Sequence, residues 1–388
     1  MTVTAPQGFR AAGVKAGLKA SGNPDLALVV NDGPSKAAAA VFTSNRVAAA
    51  PVHWSRQVVS DGRVDAVILN SGGANACTGP QGFQNTHATA EKTAKVLGIS
   101  ATDVFVCSTG LIGEQLPMDK LLPAVDAAAA ALGADGGAAA AAAIMTTDTV
   151  PKQAVFKGVD AEGQEFTIGG IAKGAGMLAP GLATMLVVLT TDANVLPEML
   201  DFVLREATRV TFDRADSDGC MSTNDTVVLL ASGASGAVPS AEAFGKGLTQ
   251  VCAELVRKLI GDAEGASHDI AIRTFNAASE RDAETVSRAV ARSNLFKAAI
   301  FGKDPNWGRV LSAVGTTDAA FEPDQLNVSM NGVRICRNGS IGEDRKLVDL
   351  EPREVIVEID LQAGSSEATI WTNDLTHDYV HENSAYSS

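Results

Sequence analysis

The sequence predicts a mixed α/β (α+β) fold in which layers of helices and sheets pack together. Short apolar runs typical of buried strands are interspersed with amphipathic helical segments along the 388 residues. Hydrophobic residues make up 46% of the chain and charged residues 20%, which is typical of a globular protein. Because strands and helices do not follow a strict βαβ order, the pattern leaves the topology open, and the length permits one large domain or two.

Five apolar runs are predicted strands, since each is short and rich in β-branched or bulky apolar residues. In chain order they cover residues 66–69, 104–107, 185–189, 227–230 and 354–361. In the last run, Val355, Val357, Ile359 and Leu361 alternate with other residues, which indicates a half-buried strand.

Helices are predicted from composition and from apolar spacing. Residues 124–143 are dominated by alanine, the strongest helix former, and three glycines divide this stretch into two helical pieces. The segment 197–209 begins with a proline suited to a first helical turn. Residues 246–260 carry an apolar stripe that ends at Gly261, and residues 283–291 form a further helix.

Charge and composition exclude several classes of protein. The formal net charge of −14 and the pI near 4.8 argue against nucleic acid as a partner. No stretch approaches the ~20 apolar residues of a membrane span, and the first residues do not resemble a secretory signal. The five cysteines are scattered without a CxxC pair, which predicts reduced thiols in a cytoplasmic protein. His377 and His381 have an i, i+4 spacing, but they lack an HExxH context and a cysteine partner, so no metal site is predicted.

A threonine near the middle of the chain is the strongest candidate nucleophile. Thr184 follows a loop rich in glycine and proline and precedes the predicted strand 185–189. A threonine hydroxyl reacts poorly unless a base lies beside it, and cleavage of the Ala183–Thr184 bond would supply its own α-amine as that base. Such an amine titrates near pH 7.7–8.0, so part of it is unprotonated at neutral pH. The residues alone favour an ordinary turn into a core strand, with Thr184 as the first residue of that strand.

The segment 173–186, with the following residues 190–193, resembles the cleavage segment of the ornithine acetyltransferase (glutamate N-acetyltransferase) family. Other segments match the same family in order along the whole chain. They are residues 70–79, 108–113, 145–149, 222–225, 261–266, 302–309 and 379–388.

This resemblance implies a fold, an activity and an assembly. The fold would be a layered sandwich of helices and sheets, as in the aminopeptidases and ornithine acetyltransferases. Self-cleavage at Ala183–Thr184 would give an α chain of residues 1–183 and a β chain of residues 184–388, associated as a heterotetramer of two α and two β chains. The enzyme would move acetyl from N2-acetylornithine to glutamate in arginine biosynthesis through an acetyl-threonine intermediate, with ping-pong kinetics and without a metal or cofactor.

The resemblance also assigns roles to individual residues. Thr184 would be nucleophile and base, and Thr109 and Gly110 would form the oxyanion hole. Substrate would be bound by Thr147, Lys173, Thr184, Glu264, Asn383 and Ser388. The chemistry suits these roles, because Lys173 can meet a carboxylate and Glu264 can accept a cationic amine.

Three alternatives remain open at this point. The enzyme could also use acetyl-CoA to acetylate glutamate, it could be a self-cleaving aminopeptidase or amidohydrolase in which water replaces the acceptor amine, or it could be an uncleaved binding protein. Gly73 and residues 219–221 depart from the family pattern and leave room for a shifted acceptor preference. The segment 304–309 could line the site or fasten a loop.

Overall fold

A computed structural model describes residues 2–179 and 185–385. Within these residues there are fifteen strands and ten α-helices. The strands are β1 (Phe9–Val14), β2 (Leu26–Asn31), β3 (Ala37–Phe42), β4 (Ala66–Asn70), β5 (Val104–Ser108), β6 (Lys152–Val159), β7 (Glu165–Lys173), β8 (Leu186–Thr191), β9 (Thr226–Ala231), β10 (Asp269–Ala277), β11 (Asn327–Met330), β12 (Val333–Arg337), β13 (Ser340–Ile341), β14 (Glu354–Asp360) and β15 (Ser366–Asn373). The helices are α1 (Ala50–Val58), α2 (Gly79–Leu97), α3 (Met118–Ala130), α4 (Gly137–Ala143), α5 (Pro197–Arg209), α6 (Ala241–Gly261), α7 (Glu280–Ala291), α8 (Asn294–Phe301), α9 (Trp307–Val314) and α10 (His377–Ala385).

The predicted elements are confirmed, with differences at their ends. Helix α5 has the predicted bounds, and β14 buries the alternating residues Val355, Val357 and Ile359. Helix α6 begins five residues before its predicted start, because the Ser240 side chain accepts a hydrogen bond from the backbone N–H of Ala243 and caps the helix there. The alanine-rich stretch forms the end of α3 and all of α4.

Two sheets pack face to face at the centre of the molecule. The first has the strand order β1-β2-β4-β5, and the second has the order β3-β9-β8-β7-β6. Their facing side chains form one continuous apolar cluster, which includes Val29, Leu69 and Phe105 from the first sheet and Val188 and Val228 from the second. The layered sandwich that the sequence predicts is therefore present.

Helices cover the outer face of each of these sheets. Helices α2 and α3 pack on the first sheet through Ala90, Leu121 and Val125. Helices α5 and α6 pack on the second through residues such as Leu204 and Leu255. The resulting layers are helix, sheet, sheet and helix, a four-layer arrangement in which both sheets are buried on both faces.

A third sheet has the order β13-β12-β11-β14-β10-β15. Helices α7, α8 and α9 cover one face of it and share an apolar cluster with β10 and β14. All of its strands come from residues after position 184, whereas the second sheet combines β3, β6 and β7 from before that position with β8 and β9 from after it.

Strand direction brings several chain segments to one edge of the central layers. Strands β8 and β9 are parallel and begin there, antiparallel β7 ends there at Lys173, and β5 of the other sheet ends nearby at Ser108. No helix among the described residues is long and apolar enough to cross a membrane.

Candidate active site

Thr109 and Gly110 form a tight turn at the end of β5. The N–H of Thr109 donates to the carbonyl of Asn70 (2.9 Å), and the carbonyl of Thr109 accepts from Gly73 N–H (3.0 Å). Gly110 has a φ of 129°, and a Cβ placed on it would lie 2.7 Å from the nitrogen of Gly73. The position therefore requires glycine, because any other residue would strain the backbone and force the two loops apart.

Lys173, the last residue of β7, is 1% exposed. Its Nζ lies 3.4 Å from Oγ1 of Thr109 and 3.9 Å from Oδ2 of Asp148. Burial lowers the pKa of Lys173, and the Asp148 carboxylate opposes this shift. The structure thus brings two of the predicted site residues, Thr109 and Lys173, into direct contact.

Asp148 and Lys152 form a buried ion-pair network with this lysine. Asp148 Oδ1 accepts hydrogen bonds from Lys152 Nζ (2.5 Å) and from the N–H of Gly174 (2.7 Å), and Lys152 Nζ also contacts Asp262 Oδ2 (2.5 Å). Burial alone would raise the pKa of Asp148, but the Lys173 and Lys152 ammonium groups lower it to about 2. Asp148 is therefore a charged, fully engaged carboxylate that fixes the position of Lys173.

Asn224 and Asp225 close the other side of the site, immediately before β9. The Asn224 side-chain amide donates to the carbonyls of Ala74 (2.6 Å) and Ser108 (2.8 Å), which ties β9 to the turn that holds Thr109. Asp225 is fully buried, and its Oδ1 accepts the N–H of Met185 (3.1 Å), the residue that follows Thr184 in the sequence. Burial raises the pKa of Asp225 well above the ordinary range.

Glu264, Asn383 and Thr147 lie together on the neighbouring surface. Asn383 Nδ2 donates to Glu264 Oε2 (3.1 Å), and Thr147 and Glu264 line the same cavity of about 580 Å³. This group connects to Lys173 through the backbone, since the N–H of Glu264 donates to the carbonyl of Ala175 (3.0 Å). The Glu264 carboxylate also acts electrostatically on Lys173.

Three predicted residues, Ala183, Thr184 and Ser388, lie outside the described residues. The residues that are described place a buried ammonium, a hydroxyl and a glycine turn at one end of the site, and a carboxylate with an open cavity at the other. The first group can stabilise negative charge on an oxygen, and the second can accept a cation.

Sequence reasoning missed the supporting residues. Asp148, Asn224 and Asp225 lie inside segments that match the family, but the sequence analysis gave them no roles. Their place in these segments is the signal that could have identified them. Lys152 had no signal beyond its spacing of four residues from Asp148, because a buried lysine and a surface lysine look alike in a sequence.

The contacts of the segment 304–309 are structural, and the thiol of Cys220 is not activated. In the segment 304–309, the side chain of Asn306 accepts a hydrogen bond from Arg309 N–H (3.2 Å) and caps α9, so the segment fastens a loop. Burial raises the pKa of the Cys220 thiol, which disfavours the reactive thiolate. Among the described residues, no group of three or more His, Cys, Asp or Glu side chains could hold a metal ion.

Comparison with known proteins gives consistent results. The ArgJ family model matches residues 10–388. The chain is 66% identical to the arginine biosynthesis bifunctional protein ArgJ of Streptomyces coelicolor and 64% identical to that of Thermobifida fusca, over 388 residues and 100% of both chains in each case. A crystal structure of ornithine acetyltransferase complexed with ornithine, from Mycobacterium tuberculosis, is 57% identical over 48% of this chain and 96% of that chain, with a TM-score of 0.44.

Proposed function

Because the chain belongs to the ArgJ family, we propose that it moves acetyl from N2-acetylornithine to glutamate in arginine biosynthesis. As a member of this family it is an acyltransferase. The single observation that carries the chemistry is the contact between the buried Lys173 ammonium and the Thr109 hydroxyl beside the Gly110 turn.

The reaction begins after cleavage of the Ala183–Thr184 bond. The Thr184 hydroxyl attacks the acetyl carbonyl of N-acetylornithine, and its α-amine takes the hydroxyl proton and passes it to the departing ornithine amine. Thr109 and Gly110 donate hydrogen bonds to the oxyanion of the tetrahedral intermediate. The amine of glutamate then attacks the acetyl-threonine ester, and the threonine hydroxyl is restored.

Different residues bind different groups of the amino-acid substrate. Lys173 meets the α-carboxylate as a buried point charge, and Glu264 accepts the side-chain ammonium of ornithine. Asn383, which hydrogen-bonds Glu264, orients that carboxylate, while Thr147 and Ser388 complete the binding surface.

Intact mass under denaturing conditions tests the nucleophile. The wild-type protein should give fragments of residues 1–183 and 184–388, whereas Thr184→Ala should give one full-length chain. Incubation with N-acetylornithine alone should add one acetyl group to the 184–388 fragment. An uncleaved wild-type chain, or an acetyl group that fails to appear, would refute the mechanism.

Kinetics test the order of the two half-reactions. At several fixed glutamate concentrations, double-reciprocal plots against N-acetylornithine should be parallel, as a covalent intermediate requires. Converging lines would indicate a ternary complex, and hydrolysis without acetyl transfer would indicate an amidohydrolase.

A second activity is favoured by the word bifunctional in the names of the relatives. In it, acetyl-CoA replaces N-acetylornithine as the donor that acetylates glutamate. Release of free thiol from acetyl-CoA, dependent on glutamate and abolished in Thr184→Ala, would support this activity. No thiol release above the variant's background would exclude it.

We also propose that two α and two β chains form a heterotetramer in the cytoplasm. The five free cysteines are consistent with a reducing compartment. Light scattering of the native protein tests the assembly, and cell fractionation tests the location. A mass of one α and one β chain would exclude the tetramer.

A further inference from the structure

A small cavity that Thr147 does not line lies beside Glu264. Its volume is about 170 Å³, and the side chains of Glu264, Asp218, Lys297, Arg292, Asn373 and Tyr379 are among those that line it. Drug-sized ligands and cofactors need roughly 300–1,000 Å³. The cavity is therefore the size of a side chain or of a few water molecules, and is too small for a whole coenzyme.

Lys297 is the unusual member of this cavity. The residue is 7% exposed, and its Nζ donates to the carbonyl of Ser217. Among the described residues, no carboxylate lies within the 4.0 Å that would make an ion pair with it. Burial lowers the pKa of Lys297, and the neighbouring Asp218 opposes this shift.

The nearby acidic groups are already engaged elsewhere. Asp216 pairs with Arg292 (2.7 Å) and Arg288 (3.2 Å), and Asp374 pairs with His268 (2.7 Å). The carboxylate of Asp218 accepts backbone N–H groups of Met177 (2.6 Å) and Cys220 (3.1 Å). Asp218, Asp216 and Asp374 therefore act on Lys297 only from a distance, and its buried ammonium can still form a direct ion pair with an anion that enters the cavity.

The cavity adjoins the proposed substrate site. Glu264 lines both this cavity and the larger one, and its N–H is held by the carbonyl of Ala175 (3.0 Å), two residues after Lys173. Asp218 holds the next part of the same segment through Met177. In the binding mode proposed above, the α-carboxylate of the amino acid meets Lys173 and its side chain reaches Glu264, which also lines this cavity.

A ping-pong transferase must admit two amino acids of opposite side-chain charge to one acetyl-threonine. We propose that Lys297 is the specificity-determining residue that binds the γ-carboxylate of glutamate, while Glu264 binds the side-chain ammonium of ornithine. This inference rests on the proposed function, because it assumes that both amino acids use one site in turn.

Isotope exchange separates the two recognition events. Labelled ornithine exchanges into N-acetylornithine without glutamate, and labelled glutamate exchanges into N-acetylglutamate without ornithine, each through the acetyl-enzyme. In Lys297→Met we expect kcat/KM of the glutamate exchange to fall about 10- to 150-fold, the usual range for a lost charged hydrogen bond. The ornithine exchange should stay within about threefold and shows in the same sample that the enzyme is folded.

Two control variants test whether the effect is specific to the charge of Lys297. Lys303→Met removes the same charge six residues along the chain, where the lysine is exposed and pairs with Glu351, and it should leave both exchanges unchanged. Lys297→Arg should retain part of the glutamate exchange. An equal fall of both exchanges in Lys297→Met, or no fall in either, would overturn the inference, whereas a wild-type enzyme that exchanges neither amino acid would overturn the proposed function itself.

If Lys297→Met does not fold, the wild-type enzyme still provides a test. Glutamine has the shape of glutamate but a neutral amide in place of the γ-carboxylate. We expect its kcat/KM as acceptor to be lower than that of glutamate by the same factor of about 10 to 150. Acceptance of glutamine as readily as glutamate would overturn the inference.

Discussion

Replacing Gly110 by alanine tests the proposed oxyanion hole, because the structure shows how far the added methyl group would push the turn. The added Cβ would lie 2.7 Å from Gly73 N and 3.0 Å from Gly73 Cα, about 0.7 Å short of the 3.4 Å at which ordinary contact begins. The turn must therefore move by more than the roughly 0.5 Å that a catalytic donor tolerates. Loss of one oxyanion donor lowers kcat by about 10²–10³, and we expect Gly110→Ala to fall in that range.

The neighbouring Gly113 provides a matched control. It lies three residues further on, has a φ of 88°, and has no atom within 4 Å of an added Cβ. Gly113→Ala therefore imposes comparable backbone strain without a collision, and its kcat should remain within about threefold of the wild type.

The assay is the initial rate of acetyl transfer from N-acetylornithine to glutamate, with thermal unfolding measured on the same samples. A folded Gly110→Ala enzyme that keeps its rate within tenfold of the wild type would refute the role of Gly110. An equal loss in Gly113→Ala would show that strain in the loop, and not the position of one donor, limits the rate.

Three further predictions follow from the supporting contacts. Asp148→Asn, made in the uncleaved Thr184→Ala chain, should lower the free energy of unfolding in urea by about 2 kcal/mol at pH 7. This magnitude follows from the pKa of the Asp148 carboxyl, which is about 2 in the folded protein against the usual 3.8. Because this carboxylate has a lowered pKa, its contribution is present above pH 3.8 and is lost as the pH falls toward 2, so a difference that persisted at low pH would contradict it. Asn224→Ala leaves two buried carbonyls without a donor, and should lower both the melting temperature and the transfer rate; an unchanged melting temperature would contradict the contact. Deletion of residues 383–388 removes the partner of Glu264 and should raise KM for N-acetylornithine, whereas intact kinetics would exclude the tail from the site.

Local elements could be predicted well because their signals are local. The proline at the start of α5 and the alternation in β14 are visible within a dozen residues, and both elements appear as expected. Strand order could not be predicted in this way. Strand β3 pairs with β9, almost two hundred residues later, and such partners are chosen by the packing of the whole core and not by neighbouring residues.

The candidate site, too, could be predicted only in part from the sequence. Motif resemblance identified Thr109, Lys173, Glu264 and Asn383, which the structure brings together in two contacting pairs, but these side chains could not be related to one another from their spacing. Lys152 and Lys297 gave no signal, because their importance comes from burial, which depends on residues more than one hundred positions away in the case of Asp262. The role of Thr184 itself stays a prediction.

The composition of the second sheet gives the proposed cleavage an unusual thermodynamic meaning. Strand β7, before position 184, is hydrogen-bonded to β8, after it, and β3 is likewise bonded to β9. Cutting the chain between β7 and β8 would leave this hydrogen bonding in place, so neither fragment could separate without opening a central sheet. Each precursor chain would nevertheless become two chains that separate on unfolding, so the melting temperature of the cleaved protein would depend more steeply on its concentration than that of the precursor. In a dilute solution the mature enzyme would then be less stable than its own precursor, even though every contact was the same.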